Sequence, residues 1–233
     1  MYNRDYLSNQ SSQYTQESSQ VQLMSFLKAT YQLFAGSLLA ATAGAYIGLG
    51  IVSILMGPMK WVLFAVELAL IFFVIPRVKH TPGVNLAVLF AFTFITGLTI
   101  APLLASIFAM PSGASIVGQA FLMTSVAFGA ISMFAMTTKR DFSSMGKFLF
   151  IAVIIMIVAG ISNIFIQSSM MQLAIASVGA LVFSAFILYD TQNIIRGGYD
   201  SPIEASLALY LDFFNLFVSL LQILGIMNSG DKE

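Results

Sequence analysis

Cysteine is absent from the chain, and histidine occurs once, at His80. The first absence excludes disulfide scaffolds, thiolate zinc clusters, haem thioether attachment and thiol nucleophiles together. The second leaves any His-rich metal site or Ser-His-Asp triad hanging on one residue of the loop HTPG, beside Arg77 and Lys79, where a solvated side chain is the plainer expectation. Charge is scarce too: 9% of the 233 residues are Asp, Glu, Lys or Arg, against about 25% in an ordinary globular chain. Ten basic residues balance ten acidic ones. There is thus no basic excess to neutralise phosphates, and nucleic acid is not an expected partner. With 58% of residues apolar, an ordinary water-soluble fold is excluded and the lipid bilayer becomes the expected surroundings.

What is present is a succession of apolar runs, each close to the ~20 residues a helix needs to cross ~30 Å of hydrocarbon. Seven can be read, approximately Tyr31 to Met56, Trp61 to Pro76, Val84 to Phe108, Ala114 to Met136, Lys147 to Ile166, Met170 to Tyr189 and Glu204 to Ile226. Gly57 with Pro58, Pro82 with Gly83, Pro111 with Gly113, Gly197 with Gly198, and Pro202 punctuate them. A barrel strand needs only about ten residues of alternating polarity, so these longer, continuously apolar runs predict an all-α membrane protein of seven transmembrane helices. Residues 1–30, rich in Ser, Gln, Asn and Tyr, read as a disordered polar tail. They lack the pattern of a signal peptide, so the first apolar segment is expected to stay in the mature protein. Residues 31–226 form the membrane domain and 227–233 a short polar tail. In the first span Gly36, Ala40, Gly44 and Gly48 lay small side chains in one row, a packing face. The 13 methionines show no paired spacing and read as filler, not copper ligands.

With residues 1–30 on the cytoplasmic side, that side receives Arg4, Lys28, Arg77, Lys79, Lys139, Arg140, Lys147 and Arg196, and the other only Lys60 and Lys232. The bias fits the positive-inside rule and predicts a cytoplasmic amino terminus, with the carboxyl terminus on the opposite side.

Of the ten acidic residues, three interrupt apolar runs: Glu67, Asp190 and Asp212. An Asp near a span centre costs roughly 2.5–3.5 kcal/mol on insertion scales, whereas a Leu or Phe returns only a few tenths. Such a residue points to function. Tyr189, Asp190 and Asn193 stand in LYDTQN, and Tyr210, Asp212 and Asn215 in LYLDFFN, so each helix carries Asp and Asn three apart, a spacing that shares a helix face. The sixth helix arrives at the side from which the seventh leaves, and the two aspartates can meet. Carboxylates sharing a dry site cannot both ionise cheaply; they hold a proton between them and titrate as a unit. The pair is then a pH sensor, a cation site or a proton relay, or else two protonated hydrogen-bonders that lock the bundle. Glu67 admits a structural or a functional reading. No Lys stands in the last span to carry retinal, no Gly-x-Gly-Asp marks an intramembrane aspartyl protease, and no phosphate-cradling glycine motif occurs, so no enzyme activity is expected.

LYDTQNII and the run SLALYLDFFNLFVSLLQILG, Ser206 to Gly225, resemble signature segments of the Bax inhibitor 1 family. FITGLTIAPLL, Phe94 to Leu104, and TTKRDFSSMGKFLF, Thr137 to Phe150, extend the likeness over everything after the tail. The chain is most similar to compact bacterial members of the inner membrane. The resemblance implies six helices around a central seventh and a pH-sensitive calcium leak through the bundle, with no cofactor and with calcium as the permeant ion. Asp190 and Asp212 match the family's paired aspartates, the proton-sensing element and transient calcium contact. Because calcium takes six to eight oxygens, Asn193, Asn215, carbonyls or water must supplement them. Glu67 matches an acidic residue of the second helix, and Arg77, or Lys79 if the register slips past Pro76, a basic latch on the pair. The alternative implied by other relatives is a non-conducting regulator of a partner such as a membrane-anchored protease, or of a cell-stress response.

Overall fold

The computed structural model describes the backbone of residues 3–230 and the side chains of residues 20–229. Among the described residues the chain is helical throughout, without strands. We label the long helices α1 (Asn3–Gly50), α2 (Met59–Val78), α3 (Val84–Phe108), α4 (Gly113–Thr137), α5 (Met145–Ile166), α6 (Ser169–Ile195) and α7 (Pro202–Gly230); a single turn, Val52–Leu55, follows α1. All seven are long and apolar enough to cross a membrane, α1 over Gln20–Gly50. The expected boundary at residue 30 is corrected: α1 runs through it, Thr30 is buried, and Phe26 and Leu27 pack on the core. Residues 227–230 likewise continue α7, and 231–233 lie outside the described residues.

The small-residue row of α1 does pack. A Cβ on Gly44 would fall on the carbonyl of Phe94 and one on Gly97 of α3 on the carbonyl of Ala41, so these two backbones lie in contact. Inside, Phe34 of α1 stacks on Phe128 of α4 at 5.0 Å, and Phe213 of α7 meets both edge-on at 5.8 and 5.6 Å. This aromatic knot joins three helices at the core.

α2 is irregular for a reason legible in its sequence. Pro76 has no N–H and would clash with the carbonyl four residues back, and a π-helical turn over Leu70–Val74 relieves it, with the Ile75 N–H reaching the carbonyl of Leu70. The backbone of α2 lies against α3 and no other long helix, as α5 lies against α6 alone. α7 touches α1, α3, α4 and α6. Four helices thus pack directly on α7, while α2 and α5 stand back from it across a cavity. One end of the bundle, where α2, α4 and α6 finish and α7 begins, gathers Lys79, Arg140, Asp141, Arg196, Asp200 and Glu204; we call it the charged end.

Candidate functional site: a buried aspartate pair at the floor of a cavity

Asp190 stands five residues before the end of α6 and Asp212 ten residues into α7. At 1.5 Å per residue these are depths of about 8 and 15 Å from the charged end. Both are buried, at 6% and 4% exposure, and their carboxyl groups lie within hydrogen-bonding reach of each other. Oxygens of two bare carboxylates can only accept, so a hydrogen bond there requires a proton between them. Asp212 Oδ2 is enclosed and has no partner. A buried acceptor without a donor costs roughly 1–3 kcal/mol, and it is open to a proton, a water or a cation.

The pair lines a cavity of about 610 Å³ between α2, α3, α5, α6 and α7. Phe64, Phe72, Phe92, Phe183, Phe186 and Phe214 supply much of its wall, and the polar groups converge on α7: Asp212, Asn215, Ser219 and Gln222. Their spacing of three, four and three residues keeps them on one helix face. Glu67 of α2 also lines the cavity and accepts a hydrogen bond from Thr99 Oγ1 of α3 at 2.6 Å. At the far end Gln172 of α6 donates to Gln222 Oε1 at 2.8 Å and accepts from Asn163 of α5 at 3.0 Å. Gln222 also borders a second cavity of about 270 Å³.

The structure thus brings together Asp190, Asp212, Asn215 and Glu67. It does not bring the remaining expected residues to the cavity. Tyr189 faces Gly146 of α5, where a Cβ would meet its hydroxyl at 2.7 Å. Tyr210 is fully buried but turns to α3, bonded to Thr96 and, at 3.4 Å, to the carbonyl of Thr93. Asn193 lies against Gly198, outside the cavity lining. The latch is also corrected. Arg77, just past the π turn, is exposed and donates to the carbonyl of Phe73. Lys79 turns back to the charged end, 2.9 Å from Glu204 and 3.4 Å from Asp200. The hydrogen bond that Lys79 donates to Glu204 is the main cause that pushes its ammonium above the ordinary value. Neither base touches Asp190 or Asp212. His80 is exposed, as its loop position suggested.

Sequence reasoning missed Tyr199. This loop residue donates its hydroxyl to Asp190 Oδ1 at 2.7 Å. Burial first, and then the charge of Asp190, push its phenol well above the ordinary value, so it remains a donor at physiological pH. The signal was indirect: GGYDSP is a turn, and only the turn's geometry reveals which side chain it folds inward.

Among the described residues no three His, Cys, Asp or Glu side chains gather into a metal-binding group. Two carboxylates and neutral oxygens fit brief contact with a hard cation better than storage of one.

Comparison with known proteins gives a consistent picture. The family described as "Inhibitor of apoptosis-promoting Bax1" matches residues 23–229. An "Uncharacterized protein" of Campylobacter jejuni is 52% identical over 98% of this chain and 99% of its own. An "Uncharacterized membrane protein" of Vibrio cholerae is 42% identical over 88% and 91%, and the "Golgi anti-apoptotic protein" of Vaccinia virus 38% identical over 64% and 62%.

Proposed function

The chain belongs to the family of the inhibitor of apoptosis-promoting Bax1, and from that premise we propose that it is a pH-sensitive, calcium-permeable leak pathway of the bacterial inner membrane. The observation that carries this reading is the buried pair Asp190 and Asp212, one of whose oxygens is unpartnered, at the floor of a cavity with a polar stripe along α7. Gaining or losing the shared proton changes both the charge and the hydrogen bonding of the floor. With the proton lost, the pair offers up to four carboxylate oxygens to a divalent cation, and Asn215 adds a neutral one. No chemical step and no cofactor enters the proposal. The charged end is the cytoplasmic end by the positive-inside bias.

Purified protein in liposomes with a trapped calcium indicator tests it. Calcium entry that varies between pH 5 and 8 is expected, and flux equal to that of empty liposomes across the range overturns the reading. A periplasm-only reporter fused after Glu233 should be active, and activity of a cytoplasm-only reporter there would reverse the orientation.

The printed name of the viral relative, an anti-apoptotic protein, supports a second reading, a non-conducting regulator of a cell-stress response. Silent liposomes would promote it.

A further inference from the structure

The α6–α7 loop is held at both ends. At its start the N–H of Gly198 bonds the carbonyl of Asn193 at 2.8 Å and that of Gly197 the carbonyl of Ile194 at 3.2 Å, with Gly197 at φ +72°. This is the paired closure of a helix whose next residue turns left-handed, and it folds the chain back over the helix end. At the loop's other end Ser201 Oγ accepts the N–H of Ile203 at 3.2 Å and Pro202 opens α7. Lys79 grips Asp200 and Glu204 from the side. Between these fixed points lies Tyr199, half-buried although Arg196, Gly197, Gly198 and Asp200 around it are exposed.

Asp190 and Asp212 line the cavity and Tyr199 does not. Its hydroxyl meets Asp190 from the loop side, and its ring packs on the core. The phenol therefore stands between the pair and the solvent at the charged end.

We propose that Tyr199 is the lid of the aspartate pair on the charged-end side, a positioning residue that the loop presses onto Asp190 and that separates the cavity from water and hydrated cations. The inference rests on the leak reading for its purpose, but access to the cavity can be measured without flux. Because the loop is held by the hydrogen bonds of the helix end and by Lys79, with the Tyr199 ring as its contact with the core, it can lift by withdrawing that ring without unpacking a helix.

The absence of cysteine makes the test clean. Ser219→Cys, on the cavity wall beyond the pair, is introduced into the full chain in membrane vesicles of each orientation. A membrane-impermeant cationic methanethiosulfonate is then added from one face. In the parent, modification from the loop face is slow. Tyr199→Ala is expected to speed it by about tenfold and Tyr199→Phe, which keeps the ring but loses the hydroxyl, by about threefold, the lower end of what one ordinary hydrogen bond contributes. The rate from the opposite face should not change. Gly197→Ala, which strains the left-handed residue, should act in the same direction as a second variant. Unchanged rates in all three variants, or equal increases from both faces, overturn the lid. Calcium flux on the same vesicles separates the outcomes. Faster labelling without flux in any variant keeps the lid and removes the leak, and parental flux with unchanged labelling does the reverse.

Discussion

α7 and α2 are both apolar enough to cross a bilayer, yet 44% of the most apolar stretch of α7 is buried, against 6% for α2. α5, the most apolar of the seven, has 11%. In water the ordering would run the other way. In lipid, apolar side chains gain nothing by leaving the solvent, so uniformly greasy helices face outward. Helices carrying polar or small groups turn inward, where those groups find partners. The Asp, Asn, Ser and Gln of α7 are thus the reason so much of it is buried, and the scarcity of such groups in α2 and α5 leaves them exposed.

The largest expected effect breaks this comparison at its most polar point. If Asp190 and Asp212 form one titrating unit, Asp212→Asn or Asp190→Asn alone should cut the pH-dependent part of the calcium flux by about tenfold, the scale of two groups coupled by a pH unit or more. The double variant should lose little more, since partners in one site are not additive. Independent losses that multiply in the double variant would leave two separate structural hydrogen-bonders and a cavity without a sensor.

The next prediction contrasts two glycines. A Cβ on Gly97 overlaps the Ala41 carbonyl, whereas one on Gly118 of α4 meets nothing within 4 Å. Gly97→Val should destabilise the bundle by about 2–3 kcal/mol through the forced separation of α1 and α3. Gly118→Val should remain within about 0.5 kcal/mol, as surface changes usually do. Unfolding titrations in mixed micelles would measure both, and equal costs would contradict the α1–α3 contact.

Seven spans were legible because length and hydropathy suffice for them, and Asp190 and Asp212 because a charge in a greasy run stands out. The inner part of α1 was hidden because its polar residues mask the apolar positions, Phe26 and Leu27, that pack on the core. The latch was misplaced because a π turn before Pro76 adds a residue to the turn and shifts the face on which Arg77 and Lys79 emerge. Asp and Asn three apart shared a face in α7 to useful effect. In α6 the helix ends too soon after Asn193, and the returning loop claims that position. Tyr199 could not be found by looking for polar residues within spans, because it enters the site from outside them.

A smaller prediction sharpens the difference between enclosed and exposed polar contacts. The α4–α5 loop is held by two groups. Gln192, buried, donates to the carbonyl of Arg140 at 2.8 Å and accepts from the N–H of Phe142 at 3.0 Å. Asp141, exposed, pairs with exposed Arg196. The backbone N–H of Ser143 foremost, then its side chain and Arg196, hold the Asp141 carboxyl below its ordinary value. A lowered value means that the contribution is complete above the ordinary carboxylate range near pH 4 and is lost as pH falls through the folded value. Between pH 8 and 5 this contact should therefore contribute a constant amount. Solvent also screens it. Gln192→Ala leaves the partly buried N–H of Phe142 without an acceptor and should speed its hydrogen exchange by about tenfold. Asp141→Asn should change it by less than about twofold. A larger effect from Asp141→Asn, or one that grows as pH falls from 8 to 5, would show that charge and not the enclosed amide fastens this loop.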